Sequence, residues 1–468
     1  MNSVLPKQHI LFVQNGIQSV FAKSVSPSVV IPCRKRVYYG SGKHKGGMIG
    51  RYGRRKYPPN WRAVNFNPAQ IPKAWKPLDW DEKNRIDYEY ESKLAQYIPG
   101  YKPKVPPHRR EDHHDEPMHA IDNETCSSYG FPQALALTKS VVVEGGLPAK
   151  LQELQKSLPN PEDKVIKIMQ NALLFDVDPC MVDTKNAVKR YKFDNFRHPT
   201  PERYCPRILK EFVRLCDAHI CRVSDKYHDR FNMQNLPCKT WFQRAEKTSE
   251  NVDILDVSYD WKVSIDVKTF MQLLSKNPLS LFATPDEVEE TKNRELVSIY
   301  PKLLIHSIKP THNYTPEHTT GFLETWHKPH LHTMVLNTTN DHSSKKTMGR
   351  MLFHLFCALH SRAVQQYGET PQVLAKPLAA QAIASDGRQF YAMTFQLNTT
   401  DLKDDSGVKN MVWTSAPLTD DLQIEDQYTP TLLFDECSPL LSYYPDYYHG
   451  YSPDAFATFQ ALWLNDVL

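Results

Sequence analysis

Apolar residues recur at helical spacing in several stretches of this chain. After Asn160-Pro161-Glu162-Asp163, a helix-starting signal, Val165, Ile168, Met169 and Leu173 form one stripe. A second helix, starting at Pro206, is predicted to bury Ile208, Leu209, Phe212, Leu215 and Cys216. Thr284-Pro285-Asp286-Glu287 has the pattern of a capping box with proline at the first helical position, opening a charged helix to about Glu295. The most regular pattern runs from Lys345 to Gln366, ahead of Gly368: Met348, Met351, Leu352, Leu355, Phe356, Leu359 and Ala363 make an unbroken apolar face. Period-two alternation then takes over. Leu378–Ser385, the turn pair Asp386-Gly387, and Gln389–Asn398 predict a hairpin whose Tyr391, Met393, Phe395 and Leu397 share one face. Ile254–Val267, Leu296–Ile308 and Lys409–Thr414 also read as strands. The order of elements predicts an α+β body over residues 121–468, one lobe or two, with helices packed on a C-terminal antiparallel sheet. No internal repeat of fixed period is present.

The charge distribution divides the chain. Residues 1–78 contain no Asp or Glu and fourteen Lys and Arg, so they stand at +14; the rest stands at 43 − 53 = −10. In 1–38, Ile10, Val13, Ile17, Val20 and Phe21 would line one face of a helix, and acids are missing, so this stretch is read as a mitochondrial transit peptide cut near Tyr38. Residues 39–78 interleave glycine, cations and rings. Lys43, Lys45, Arg51, Arg54, Arg55, Lys56 and Arg62 suit phosphates, and Trp61 offers a face to a base, so the segment is read as an rRNA-binding extension. Its glycines keep it from building a core of its own. Residues 79–120 are proline-rich and mixed in charge, which reads as a linker. At the other end, 399–437 holds nine acids against Lys403 and Lys409, so that surface should meet protein or water rather than phosphate.

Chemistry-bearing patterns are few. Gly40-Ser41-Gly42-Lys43 lacks the hydroxyl residue and the preceding strand of a phosphate-binding loop, and no hydrolase, dinucleotide or kinase signature occurs. The nine cysteines form no C-x-x-C pair, so reduced, buried thiols are expected. No run of eighteen apolar residues is present, and no cofactor or small-molecule substrate is suggested. His327-Lys328-Pro329-His330-Leu331-His332 is the best metal candidate, because His330 and His332 would share a face of a regular strand. His113, His114 and His119, among Asp112, Asp115 and Glu116, are a weaker one. Polar surface or RNA contact is the simpler reading of the first, and a solvated linker of the second.

Several strings carry a resemblance. Gln133–Pro148 reads QALALTKSVVVEGGLP, Glu202–Pro206 ERYCP, Asp286–Asn293 DEVEETKN, Gln381–Phe390 QAIASDGRQF, Gln389–Leu402 QFYAMTFQLNTTDL, Gly407–Trp413 GVKNMVW, and the chain closes on YSPDAFATFQALWL. In this order they resemble the mitochondrial large ribosomal subunit protein thirty-seven family, over roughly 121–468. The resemblance implies a structural, non-catalytic protein of the mitochondrial ribosome in the matrix. It also implies contacts with large-subunit rRNA, with neighbouring ribosomal proteins, and with a paralogue, programmed cell death protein nine. The basic 39–78 segment and the histidine string lie outside it. The competing expectation is a matrix enzyme or metal-binding protein using His327, His330 and His332.

Overall fold

The computed structural model describes residues 110–123, 125, 130–172, 176–177, 196–197, 200–247, 258–299, 303–322, 325–339, 343–415, 430–434 and 451–467. All belong to one compact unit. In chain order the elements are β1 (His113–Asp122), α1 (Phe131–Leu137), β2 (Ser140–Val142), α2 (Ala149–Ser157), α3 (Glu162–Ala172), β3 (Asp176–Val177), β4 (Phe196–Arg197) and α4 (Pro201–Val223). After a 3-10 turn, Asp225–Asp229, come β5 (Arg230–Lys247), β6 (Ser258–Ser275), α5 (Pro285–Glu290), β7 (Lys309–Asn313), β8 (His330–Asn337) and α6 (Ser344–Tyr367). The C-terminal part supplies β9 (Val373–Ser385), β10 (Gln389–Thr399), β11 (Asn410–Thr414), β12 (Thr431–Leu432) and α7 (Pro453–Leu464). The fold is α+β, as the periodicities predict.

The sheet is larger and more mixed than the predicted C-terminal one. Ten strands join in the order β2-β11-β10-β9-β8-β6-β1-β7, with β5 on β6 and β12 on β10. Three of the pairings, β1 with β6, β8 with β9 and β11 with β2, are parallel. Both faces are covered. On one side lie α1 and α6, packed on Tyr391, Met393, Phe395 and Leu397 of β10 and on Leu378, Ala380, Ala382 and Ala384 of β9. On the other lie α2, α3, α4 and α7, against Phe390, Ala392 and Ile383. Phe212 of α4 ties that layer together: its ring sits 4.9 Å from Phe456 and 5.6 Å from Phe459 of α7, and 5.9 Å from Phe390 of β10. Among the described residues no helix is long and apolar enough to cross a membrane.

Local rules explain most boundaries. The Thr284 hydroxyl and the Glu287 carboxylate exchange bonds with each other's backbone N–H, the predicted capping box. The second helix starts at Pro201 rather than Pro206; Thr200-Pro201 forms its first turn, and Pro206 lies inside it, forgoing one backbone bond. Leu296–Ile308 is not a strand in its described residues: 296–299 are irregular, 304–307 turn, and pairing begins only at Lys309. Its Leu304, Ile305 and Ile308 are nevertheless buried, so the apolar run reports burial and not a ladder. His113–Ala120, read as the end of a linker, instead lies within β1, between β6 and β7.

The long strand β5 has no predicted counterpart, because Pro237 interrupts it. Lys239, two residues on, turns its N–H and C=O away from β6 to Thr319, at 2.9 and 2.8 Å. Pro237 therefore faces the same outer edge, where a missing N–H costs no ladder bond.

The hairpin turn depends on Gly387. Its φ is +95°, and a Cβ there would come within 2.5 Å of the Tyr204 ring. The Asp386 carboxylate closes the turn by accepting from the Arg388 and Gln389 N–H groups at 2.8 and 2.7 Å. Gly387→Val is expected to destabilise the chain by roughly 2 kcal/mol or more, from backbone strain alone. Urea unfolding measures it; an unchanged midpoint would mean the turn does not need positive φ.

Candidate functional site

The residues assigned to RNA by charge (Lys43, Lys45, Arg51, Arg54, Arg55, Lys56, Trp61 and Arg62) lie outside the described residues, as do the transit segment and the linker up to residue 109. The histidine string is described, and it does not converge. His327 is exposed, His330 half-buried and His332 buried. The pairing of β8 with β6 shifts by one residue between Leu273↔Thr333 and Leu274↔Leu331, so His332 is the extra residue of a β-bulge. The regular alternation behind the shared-face argument therefore fails here.

Both nitrogens of His332 are also spent. Nε2 meets the Asn465 carbonyl at 2.9 Å, and a carbonyl only accepts, so Nε2 carries the proton. Nδ1 then takes the Thr333 hydroxyl at 2.7 Å. Burial, reinforced by the charge of Arg230, pulls its pKa down to about 3, so the ring is neutral. No lone pair remains for a metal. The second candidate also disperses. His114 stacks on Tyr314, with ring centres 4.1 Å apart, His113 stacks on His312, and Glu116 pairs with Lys262. Among the described residues no group of three or more His, Cys, Asp or Glu is placed to hold a metal ion.

What the fold does bring together is a polar junction built from four of the strings that carry the resemblance. β11 lies between β2 and β10, and Asn410 links all three. Its side-chain N–H donates to the Thr138 carbonyl at 2.9 Å, and its side-chain oxygen accepts from the Asn398 and Thr399 N–H groups at 2.8 and 3.1 Å. Two lysines are buried beside it. The Lys139 ammonium donates to the Asp401 carbonyl at 3.0 Å and lies 3.6 Å from the Asp404 carboxylate. Burial lowers its pKa, with Asp401 and Asp404 opposing. The Lys409 ammonium donates to the carbonyls of Thr291, Lys292 and Gly407. Arg244, 2 % exposed, bonds the Ala136 and Leu402 carbonyls and pairs with Asp405.

Asp404 and Asp405 are thus counter-charges to buried cations, not the free acidic face that the count over 399–437 suggests. Reversing their charge would strand Lys139 and Arg244, so it would not be a clean probe of a partner surface. Asp420 and Asp421 lie outside the described residues. Local sequence gives no sign of these buried cations, because their partners, Gly407 apart, sit 100 or more residues away.

A second polar cluster closes the end of α7. The last carbonyls of a helix have no partner within it. Here Gln381 donates to the Leu462 carbonyl, Arg230 to that of Trp463 and His332 to that of Asn465. The Trp463 indole in turn donates to Asp217 at 2.9 Å. The five described cysteines are all unbridged thiols, and burial raises the pKa of Cys205, Cys216, Cys238 and Cys357.

No protein-family model matches the chain. Curated relatives do. It is 28 % identical to large ribosomal subunit protein mL37 of Mus musculus over 327 residues, covering 68 % of this chain and 70 % of the relative. It is 27 % identical to the Bos taurus protein of that name over 378 residues, 77 % of this chain and 78 % of the relative. It is 25 % identical to the Gallus gallus protein over 345 residues, 72 % of this chain and 71 % of the relative. With matches of this length to several vertebrate relatives, the chain is similar to the mL37 proteins over most of its folded body.

Proposed function

We propose that the chain is a structural component of the large subunit of the mitochondrial ribosome, supporting translation in the matrix. The observation that carries this reading is the likeness to mL37 proteins over about two thirds of both chains. In this reading residues 1–38 direct import, residues 39–78 bind rRNA, and the folded body meets neighbouring ribosomal proteins, the paralogue among them. The buried chemistry of the junction favours scaffolding: Lys139, Lys409 and Arg244 are spent on carbonyls and carboxylates. The metal-binding alternative has lost its ligands, since His332 is committed to Asn465 and Thr333.

The arm is tested with the full chain and a variant lacking 39–78. Each neutralised phosphate contributes a log–log salt slope of roughly −0.7 to −0.9. With about half of the arm's nine cations engaged, the full chain should bind RNA with a slope near −3 to −4. The deletion is expected to lose most of that binding while keeping the circular dichroism of the body. Undiminished or salt-insensitive binding would remove the arm from the interface.

A further inference from the structure

Arg230 is nine-tenths buried, at 9 % exposed, and its needs are only partly met. One terminal nitrogen caps the Trp463 carbonyl, and the guanidinium lies 5.8 Å from the Trp463 ring centre. Its Nε and other terminal nitrogen have no hydrogen-bond partner. No carboxylate is within ion-pair distance among the described residues; Asp217 acts on it only at longer range. Burial accordingly pulls its pKa down to about 10. A buried guanidinium with two unmet N–H donors is unfavourable unless something supplies acceptors.

The space beside it has the corresponding character. Arg230 lines a cleft of about 70 Å³ together with Lys226, Ser275, Lys276, Asn277 and Asp466. Asp229 and His332 also border it. The volume suits one tetrahedral anion, not a whole nucleotide. The Asp466 carboxylate is already taken by Lys150 and by the Ser280 N–H and hydroxyl. The Lys226 ammonium rests on a backbone carbonyl, that of Asp466, at 3.1 Å, so its charge is not neutralised there. Three cations therefore border the cleft, with Asp229 the one lining carboxylate not otherwise engaged among the described residues.

Aromatic surface adjoins it. Tyr227, 38 % exposed, follows Lys226 directly. Around the rim of the same strand end Phe231 is 43 % exposed, edge-on to Trp326 at 5.6 Å. Lys328 lies 6.0 Å from the Phe231 ring centre, its ammonium bonded to the Arg230 carbonyl at 2.9 Å. Cations that take a phosphate, next to exposed rings that take a base face, are how single-stranded RNA is held.

We propose that the cleft of Lys226, Arg230 and Lys276 seats one phosphate of single-stranded RNA, with a neighbouring base on Tyr227 or on the Phe231–Trp326 shelf. Naming RNA as the source of the phosphate rests on the ribosomal reading; the anion site itself rests on the unmet Arg230 donors. This contact is separate from the basic arm.

The test uses the full chain with a 4-thiouridine-substituted single-stranded RNA, ultraviolet cross-linking and peptide mapping. The expected cross-links fall within 226–231 or at Trp326, in addition to any on the arm. Lys226→Gln with Lys276→Gln, both at solvent-accessible positions, should abolish those cross-links and reduce the salt slope of binding by about 0.7 to 0.9, one phosphate contact, without moving the unfolding midpoint. Arg230→Gln is left to second place, because it also uncaps α7. Inorganic phosphate alone is the second probe. If it raises the melting temperature of the parent but not of the double-lysine variant, while no RNA cross-link maps to the cleft, the site takes free phosphate and the RNA assignment is overturned. Cross-links confined to 39–78, with no phosphate effect, overturn the anion site altogether. Either negative result leaves co-sedimentation with the large subunit untouched, so failure of the cleft and failure of the ribosomal reading are distinguishable.

Discussion

Phe395→Ala is expected to lower the unfolding free energy by about 3–5 kcal/mol, the range for truncating a fully buried phenylalanine. Phe395 is 0 % exposed, at the middle of β10, and its ring lies 6.4 Å from that of Phe356 in α6. Removing it takes away the apolar surface that joins the sheet to its central helix. It also leaves a cavity that two long elements cannot easily collapse into. Because β10 pairs with β9, β11 and β12, the loss should be felt cooperatively across the C-terminal sheet. Equilibrium urea unfolding gives the number. A loss below about 1 kcal/mol would place Phe395 outside the core, since surface changes usually fall in that range.

Acid should unfold the chain sooner than a typical globular protein. His332, His354 and His360 are all fully buried, and burial pulls each pKa down to about 3. Nearby groups add to this: the positive charges of Arg230 for His332 and Arg350 for His354, and the neighbouring ionisable ring of His318 for His360. The unfolded chain titrates these rings near the ordinary value of about 6.5. Below that pH the unfolded state takes up protons that the folded state refuses. The stability of keeping the rings neutral is therefore complete above about 6.5 and is lost progressively as pH falls toward about 3. Each ring contributes a slope of about 1.4 kcal/mol per pH unit once the unfolded form is fully protonated. Three rings together remove roughly 5 kcal/mol between pH 7 and 5, comparable with the whole stability of a marginal domain. Urea midpoints measured across that interval should fall steeply. A flat profile would mean that the rings are reached by water or charged in the folded state.

The sequence revealed the elements whose period is clean and whose partners are local. α6 and the β9–β10 hairpin follow directly from the spacing of Met348 to Ala363 and of Tyr391 to Leu397. β5 stayed hidden because Pro237 and scattered polar residues break its alternation, and an outer edge tolerates both. β1 stayed hidden because its acids and histidines look like a solvated linker, whereas its place in the sheet is set by non-local pairing with β6 and β7. The parallel pairings were out of reach for the same reason, since strand direction is decided by the path of the intervening chain. The histidine string was misleading because a one-residue bulge at His332 undoes the parity on which the reading depended. The cleft at Arg230 gives little local signal: Lys226 precedes it by four residues, but Lys276 and Asp466 are brought to it from two distant segments.

The measurement that bears most directly on the central claim is sedimentation of the native protein from a mitochondrial extract, with and without ribonuclease. Co-migration with the large ribosomal subunit, lost when the rRNA is digested, is the predicted result. A free protein sedimenting as a monomer, carrying stoichiometric zinc and indifferent to ribonuclease, would contradict the account.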